Sequence, residues 1–250
     1  MITIKNKASL RKMAEAGKQL ALICRELETR IRSGVSTLAL DAWIDQEFTK
    51  RGLKSKTKGF KGYRHASCIS VNDEVVHGVP SADKILKDGD MVTVDICASW
   101  EGYCADMART YFVGEVSQEV RDFVAVAQAA LNKGIAQARD GNRLSDISAA
   151  IQTEVERHGY GVVRDFAGHG IGKQLHEEPE VLNYGPPGKG PVLRAGMTLA
   201  IEPMITMGKY DVYITTDGWT VKTEDRSLAA HVEDTIAITQ GDPVILTRTT

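Results

Sequence analysis

Four carboxylates and one imidazole in this chain are spaced for joint chemistry. Asp95 lies in Met91–Cys97 (MVTVDIC), where Val92, Val94 and Ile96 alternate onto one face and leave Thr93, Asp95 and Cys97 on the other. Asp106 follows in Ala105–Val113, beyond a turn at Glu101-Gly102, so the two aspartates sit on the arms of a hairpin and can meet on one face. Glu202 in Met197–Ile205 and Glu233 in Ala229–Thr239 repeat the scheme around a wider hairpin. Four such groups cannot ionise together in a partly buried site without compensation. Two divalent cations would supply it. His169, in the glycine-rich stretch Phe166–Gly172, adds a fifth donor, since flanking glycines let backbone approach closely and leave the imidazole free to project. Hard oxygen donors with one imidazole suit Mn, Fe, Co or Zn in a paired site. Any one of these carboxylates alone reads most plainly as a solvated strand residue; four placed symmetrically in apolar strands do not.

The elements that must position these groups recur. Gly34–Gly52 aligns without gaps on Gly141–Gly159 at an offset of 107 residues, and the same offset sets Gly89 on Gly196, Val94 on Ile201 and Asp95 on Glu202. Each half opens with helical periodicity: Met13, Gly17, Leu20, Cys24, Leu27 and Ile31 in one, and Val120, Phe123, Val124, Ala127, Leu131, Ile135 and Ala138 in the other. Shorter helices follow, through Leu40, Trp43, Ile44 and Phe48 and through Leu144, Ile147, Ile151 and Val155, each ending near a glycine, Gly52 or Gly159. Strand-like runs come next, including Cys68–Val76. Helix, helix, strands, twice over, predicts an α+β layer structure with mostly antiparallel pairing. It also predicts one domain over residues 1–250, with half-repeats of about 1–115 and 116–250 and a pseudo-twofold axis through the active centre.

Composition excludes much else. The 250 residues carry 31 Lys+Arg against 33 Asp+Glu, a formal charge of −2, so bulk electrostatics call for neither nucleic acid nor an anionic membrane. Neither a signal peptide nor a run of the ~18 apolar residues needed to span a bilayer is found. Cys24, Cys68, Cys97 and Cys104 form no C-x-x-C pair, which argues against a zinc ribbon or a disulfide scaffold and for a reducing cytoplasm. No long exposed apolar stretch calls for an obligate partner, so a monomer is expected. Gly168–Lys173 lacks the glycine spacing and the Ser or Thr of a phosphate loop, and neither G-x-S-x-G nor H-E-x-x-H occurs.

The runs Thr93–Asp95, Gly102–Asp106, Gly168–Gly172, Ala200–Pro203 and Glu233–Thr235 resemble the metal-ligand motifs of the type I methionine aminopeptidases. The resemblance covers nearly the whole chain and includes Cys68–Asn72 and His77–Pro80. It implies the pita-bread fold, with a pseudo-twofold internal repeat and a central antiparallel sheet, and removal of the initiator methionine from nascent proteins and peptides with a small second residue. The 32 residues between His169 and Glu202 leave no room for the helical insertion of type II enzymes, and the extra N-terminal domain of prolidases is not seen, so the short bacterial form is expected.

Carried over residue by residue, the resemblance implies that Asp95 chelates one cation, that His169 and Glu202 hold the other, and that Asp106 and Glu233 bridge them. Two cations sharing a water lower its pKa toward ~7, making a bridging hydroxide available for attack on the first peptide carbonyl. Glu202 would shuttle the proton. His77 and His176, which alone would read as structural, would contact the peptide nitrogen after methionine and the carbonyl oxygen. The methionine pocket would be lined by Phe60, Tyr63, Cys68, Leu175, Met204 and Trp219. Phe60 often reads Tyr in the family, Leu175 often Phe, and Lys61 stands where His is frequent, all of which bear on substrate preference. The basic stretch Lys54–Arg64, interleaved with Phe60 and Tyr63, offers either a transient contact to ribosomal RNA or a solvated loop whose aromatics turn into the pocket. The rival reading is a protein of the same fold that has lost catalysis and only binds peptides or ribosomes; loss of ligands would signal it, and all five stand intact.

Overall fold

A computed structural model describes residues 1–249. The first half runs α1 (Lys7–Leu27), α2 (Thr37–Lys50), β1 (Lys54–Ser55), a 3-10 turn at Phe60–Gly62, β2 (Cys68–Val71), β3 (Glu74–Val76), β4 (Met91–Trp100) and β5 (Tyr103–Phe112). The second runs α3 (Gln118–Gln137), α4 (Leu144–Glu156), β6 (Gly161–Val162), β7 (Gly168–Gly170), β8 (Glu177–Val181), β9 (Thr198–Ile201) and β10 (Met204–Thr206). It continues through β11 (Val212–Ile214), β12 (Val221–Thr223), β13 (Ala229–His231), β14 (Glu233–Ala237) and β15 (Val244–Ile245).

Local chemistry sets the helix ends. The side chains of Asn6, Ser36 and Ser117 accept from Ser9, Ala39 and Val120 N–H at the first turns of α1, α2 and α3, and Asp146 accepts from Arg143 N–H at the start of α4. Gly52 and Gly159 close the second helix of each half with φ of 68° and 79°, as the sequence predicts. Inward stripes at three- and four-residue spacing then dock the helices. Leu20, Ile23, Leu27, Ile44 and Phe48 pack with Ile69, Val92, Val94, Ile96 and Met107 in one core. Phe123, Ala127, Leu131, Ile147, Ile151 and Val155 pack with Leu199, Ile201, Ile205 and Ile236 in the other.

The main sheet is antiparallel throughout, in the order β1-β4-β5-β14-β9-β7-β8, with β2 on β4 and β15 on β14. β14 is the seam, pairing with β5 of the first half and β9 of the second.

Three expected strands break in two, and each break serves the architecture. Cys68–Val76 divides at a turn in which Asn72 adopts φ 58°. Met197–Ile205 divides after Glu202, because Pro203 offers no N–H to a ladder. Ala229–Thr239 divides at Val232. The pieces before and after these corners belong to different sheets, since β10 pairs with β13 on one side and β6 on the other, away from the main sheet. Glu202 and Glu233 therefore stand at two facing corners where the chain passes from one sheet to another. The extra residues of the second hairpin form β11 and β12, which pair with each other, and β12 pairs in turn with β3.

Candidate metal centre

All five expected ligands line one cavity of about 710 Å³. In the β4–β5 hairpin Asp106 lies opposite Cys97, so Asp95, two residues away on the same strand face, is its diagonal neighbour. Glu202 and Glu233 each stand one residue beyond the paired Ile201 and Asp234. Thr235 Oγ1 stitches the two halves beneath them, accepting from Asp106 N–H at 2.8 Å and donating to Asp106 C=O at 2.8 Å. Asn183 Nδ2 donates to Glu202 C=O, and Arg109 donates to Glu233 C=O while pairing with buried Asp234 at 2.6 Å.

His169 reaches the cluster from β7. A Cβ at Gly168 would overlap the Ala200 carbonyl and one at Gly170 the Glu178 carbonyl, so the glycines are the close-approach positions the sequence suggests. His169 Nδ1 faces Gly170 C=O at 2.9 Å, which orients Nε2 inward, 3.8 Å from Asp106 Oδ2 and 3.5 Å from Glu202 Oε1. Such a carbonyl partner fixes the tautomer that a metal-bound imidazole requires.

Single ligand atoms from Asp106, His169 and Glu233 lie within 4.8 Å of one another, as do atoms from Glu202, His231 and Glu233. Asp95 belongs to neither trio but faces the same cavity. His231 was not expected from sequence; it ends β13 two residues before Glu233 opens β14, and the corner at Val232 brings both to the cavity.

The electrostatics state what the cluster lacks. Burial pushes Asp95 up to about 6 and Glu202 up to about 8. Asp106 and Glu233 are raised well above the usual carboxylate range, first by burial and then by the neighbouring carboxylates. Burial holds His169 down at about 3. Asp106 Oδ1 and Glu233 Oε1 are buried without a hydrogen-bond partner. Orphaned carboxylate oxygens beside an unprotonated imidazole fit divalent cations, which would take over the role of the protons.

This yields a sign. A carboxyl raised by folding stabilises the metal-free fold fully below its unfolded pKa of ~4.5, and that contribution is lost as pH rises through about 8. Cation binding at pH 7 should therefore release at least about one proton per protein and raise Tm more at pH 8 than at pH 5. Calorimetry in buffers of different ionisation enthalpy checks this; a heat independent of buffer at pH 7 would contradict it.

The cavity leading to the cluster is apolar. Tyr63 and Trp219 meet edge to face at 5.0 Å, and Phe60, Cys68, Leu175 and Met204 complete the lining expected from sequence. Asp41 of α2 anchors the wall, accepting from Ala66 and Ser67 N–H and from Ser67 Oγ; Tyr63 OH donates to Ser67 C=O. Of the two readings of Lys54–Arg64, the structure turns Phe60 and Tyr63 into the cavity and pairs Lys58 with Asp45 at 2.6 Å. His176 lies between Phe60 and His169, tilted against the first and edge-on to the second, with ring centroids 5.3 and 4.3 Å away. His77, with φ 57°, packs edge-on against Phe166, a lining residue the sequence did not single out. Burial lowers His77 to about 4, and burial followed by the Lys61 charge lowers His176, so both face the cavity as neutral imidazoles at pH 7.

The sequence pattern of metallopeptidase family M24 matches residues 11–240. Over 247 residues the chain is 47% identical to a methionine aminopeptidase of Clostridium acetobutylicum, covering 99% of both chains. It is 46% identical to methionine aminopeptidase 1 of Bacillus subtilis over 99% of this chain and 100% of that one. The crystal structure of methionine aminopeptidase from Thermotoga maritima superposes with a TM-score of 0.98 at 44% identity over the full length of both. Prolidase from Pyrococcus furiosus shares the fold at a TM-score of 0.80 and 24% identity, over 99% of this chain and 66% of that one. With the geometry, these likenesses make the chain a member of metallopeptidase family M24, among its methionine aminopeptidases.

Proposed function

We propose that this protein removes the N-terminal methionine from peptides and nascent chains whose second residue is small, with two divalent cations held by Asp95, Asp106, His169, Glu202 and Glu233. The observation that carries the reading is an apolar cavity ending on a carboxylate–imidazole cluster: it suits a thioether side chain in the lining and a scissile carbonyl at the cluster. Residues 1–250 are read as one catalytic domain, because both half-repeats lend ligands to one centre. Mn, Fe, Co and Zn all suit the donor set. We place the activity in the cytoplasm and on a monomer, with transient ribosome contact through the exposed basic residues of Lys54–Arg64. No described helix is long and apolar enough to cross a membrane.

Bound divalent cations supply Lewis acidity and lower the pKa of water toward ~7. The chain's own residues do the rest. Phe60, Tyr63, Cys68, Leu175, Met204 and Trp219 enclose the methionine side chain and exclude water. Glu202 takes the proton of the attacking water and returns it to the leaving nitrogen as the C–N bond breaks. His176 donates a hydrogen bond to the carbonyl oxygen as charge develops there, and His77 accepts from the peptide N–H beyond it; a neutral imidazole has one nitrogen for each task. Phe60 and Leu175, smaller by a hydroxyl and a ring than their common family counterparts, widen the pocket.

The test is release of free methionine from Met-Gly-Met-Met by protein reconstituted with each of Mn, Fe, Co and Zn. Activity lost on chelation and restored by metal is expected; no release with any of the four would overturn the reading. His176→Ala should keep metal and fold and lower kcat by at least about a hundredfold, while near-normal turnover would remove the role assigned to that side chain.

A further inference from the structure

His231 closes β13 at the floor of the cavity, 1% exposed. Neither of its ring nitrogens has a hydrogen-bond partner. Nε2 stands 3.4 Å from Glu202 Oε2, and a nitrogen of the ring lies with carboxylate oxygens of Glu202 and Glu233 inside a 4.8 Å span. Leaving a buried polar atom unsatisfied costs about 1–3 kcal/mol, so two on one ring call for a ligand. The backbone explains why the ring cannot turn away. His231 pairs with Met204 across β13 and β10, two residues from each corner glutamate, which fixes its strand on the wall of the cavity.

We propose that His231 is a further protein ligand of the metal centre, donating an imidazole nitrogen to the cation shared by Glu202 and Glu233. The inference rests on the metal-centre reading above and adds to it. Atoms of Asp106, Glu233 and His169 form one trio and atoms of Glu202, Glu233 and His231 another, and His169 Nε2 also lies 3.5 Å from Glu202 Oε1, so the cation held by His169 and Glu202 would carry both imidazoles. Two imidazoles instead of one shift the centre toward ions that favour nitrogen, Co, Fe or Zn, and away from Mn.

The test uses the full-length protein, stripped of metal and titrated with Co(II) alone, then with Mn(II) alone. His231→Gln keeps a polar side chain of similar reach but no imidazole. It should weaken binding of one Co(II) equivalent by about ten- to a hundredfold, shift the visible ligand-field bands, and weaken Mn(II) much less, so that the Co-over-Mn preference falls about tenfold or more. The metal-free melting temperature of the variant should equal or exceed that of wild type, since no hydrogen bond is lost. Should the variant not fold, pulsed EPR of wild-type protein carrying Mn(II) decides the matter: nitrogen couplings from two imidazoles support the proposal, and from only one overturn it. Unchanged Co(II) affinity and bands in folded His231→Gln overturn it while leaving the metal centre intact. Failure of wild-type protein to bind either ion removes the centre itself.

Discussion

Glu202→Gln is expected to lower kcat for methionine release by about 10³–10⁴-fold while leaving the metal-free fold as stable as before. Both halves of that expectation come from one environment. Burial holds Glu202 near 8, so at pH 7 the metal-free protein carries a neutral carboxylic acid there. Glutamine is an uncharged isostere of that form, and the hydrogen bond from Asn183 goes to the backbone carbonyl, which the substitution retains. The proposed role of Glu202, in contrast, needs an anion to bind the cation strongly and to accept a proton; the amide ligates only weakly through its neutral oxygen and accepts no proton. Steady-state release of methionine, read beside thermal melts with and without metal, separates the two. Turnover within tenfold of wild type would mean that the proton is handled elsewhere.

Asp234→Ala should be the most damaging substitution for stability, at about 3–5 kcal/mol. The Asp234 side chain is fully buried and accepts from Arg109 Nη2 at 2.6 Å, Thr247 Oγ1 at 2.8 Å and Arg248 Nε at 2.9 Å. Truncation leaves the Arg109 guanidinium in the sheet without its counter-ion. Arg248 is more open to water and tempers the loss, so a fall in Tm of about 10 °C is expected for a chain of this size. Because Arg109 also donates to Glu233 C=O, the variant should lose metal affinity as well. A melting temperature within 2 °C of wild type would show that solvent screens the cluster far better than its burial implies.

The candidate ligands were legible as a converging set because hairpins turn spacing into position: Asp95 and Asp106 flank a tight turn, and the repeat carries that logic to Glu202 and Glu233. The glycines around His169 were legible for the room they make. The corners were less so. Pro203 is visible in the sequence as a strand breaker, yet the break at Val232 falls within a run buried on both faces, where alternation carries no information. His231 was missed for the related reason that a lone histidine in an apolar run belongs to no spaced pattern; only the known position of Glu233 two residues on could have pointed to it.

The seam made by β14 also carries an expectation for folding kinetics. Asp106 and Thr235, hydrogen-bonded beneath the ligands, are 129 residues apart in the chain, and the contacts that gather Asp106, His169 and Glu233 close only when both halves are in place. Loop closure over such distances comes late. A cation therefore finds its full ligand set only near the native state. It should act on the way out of that state rather than on the way in, and stopped-flow denaturant jumps with and without cation should show slower unfolding at an almost unchanged refolding rate.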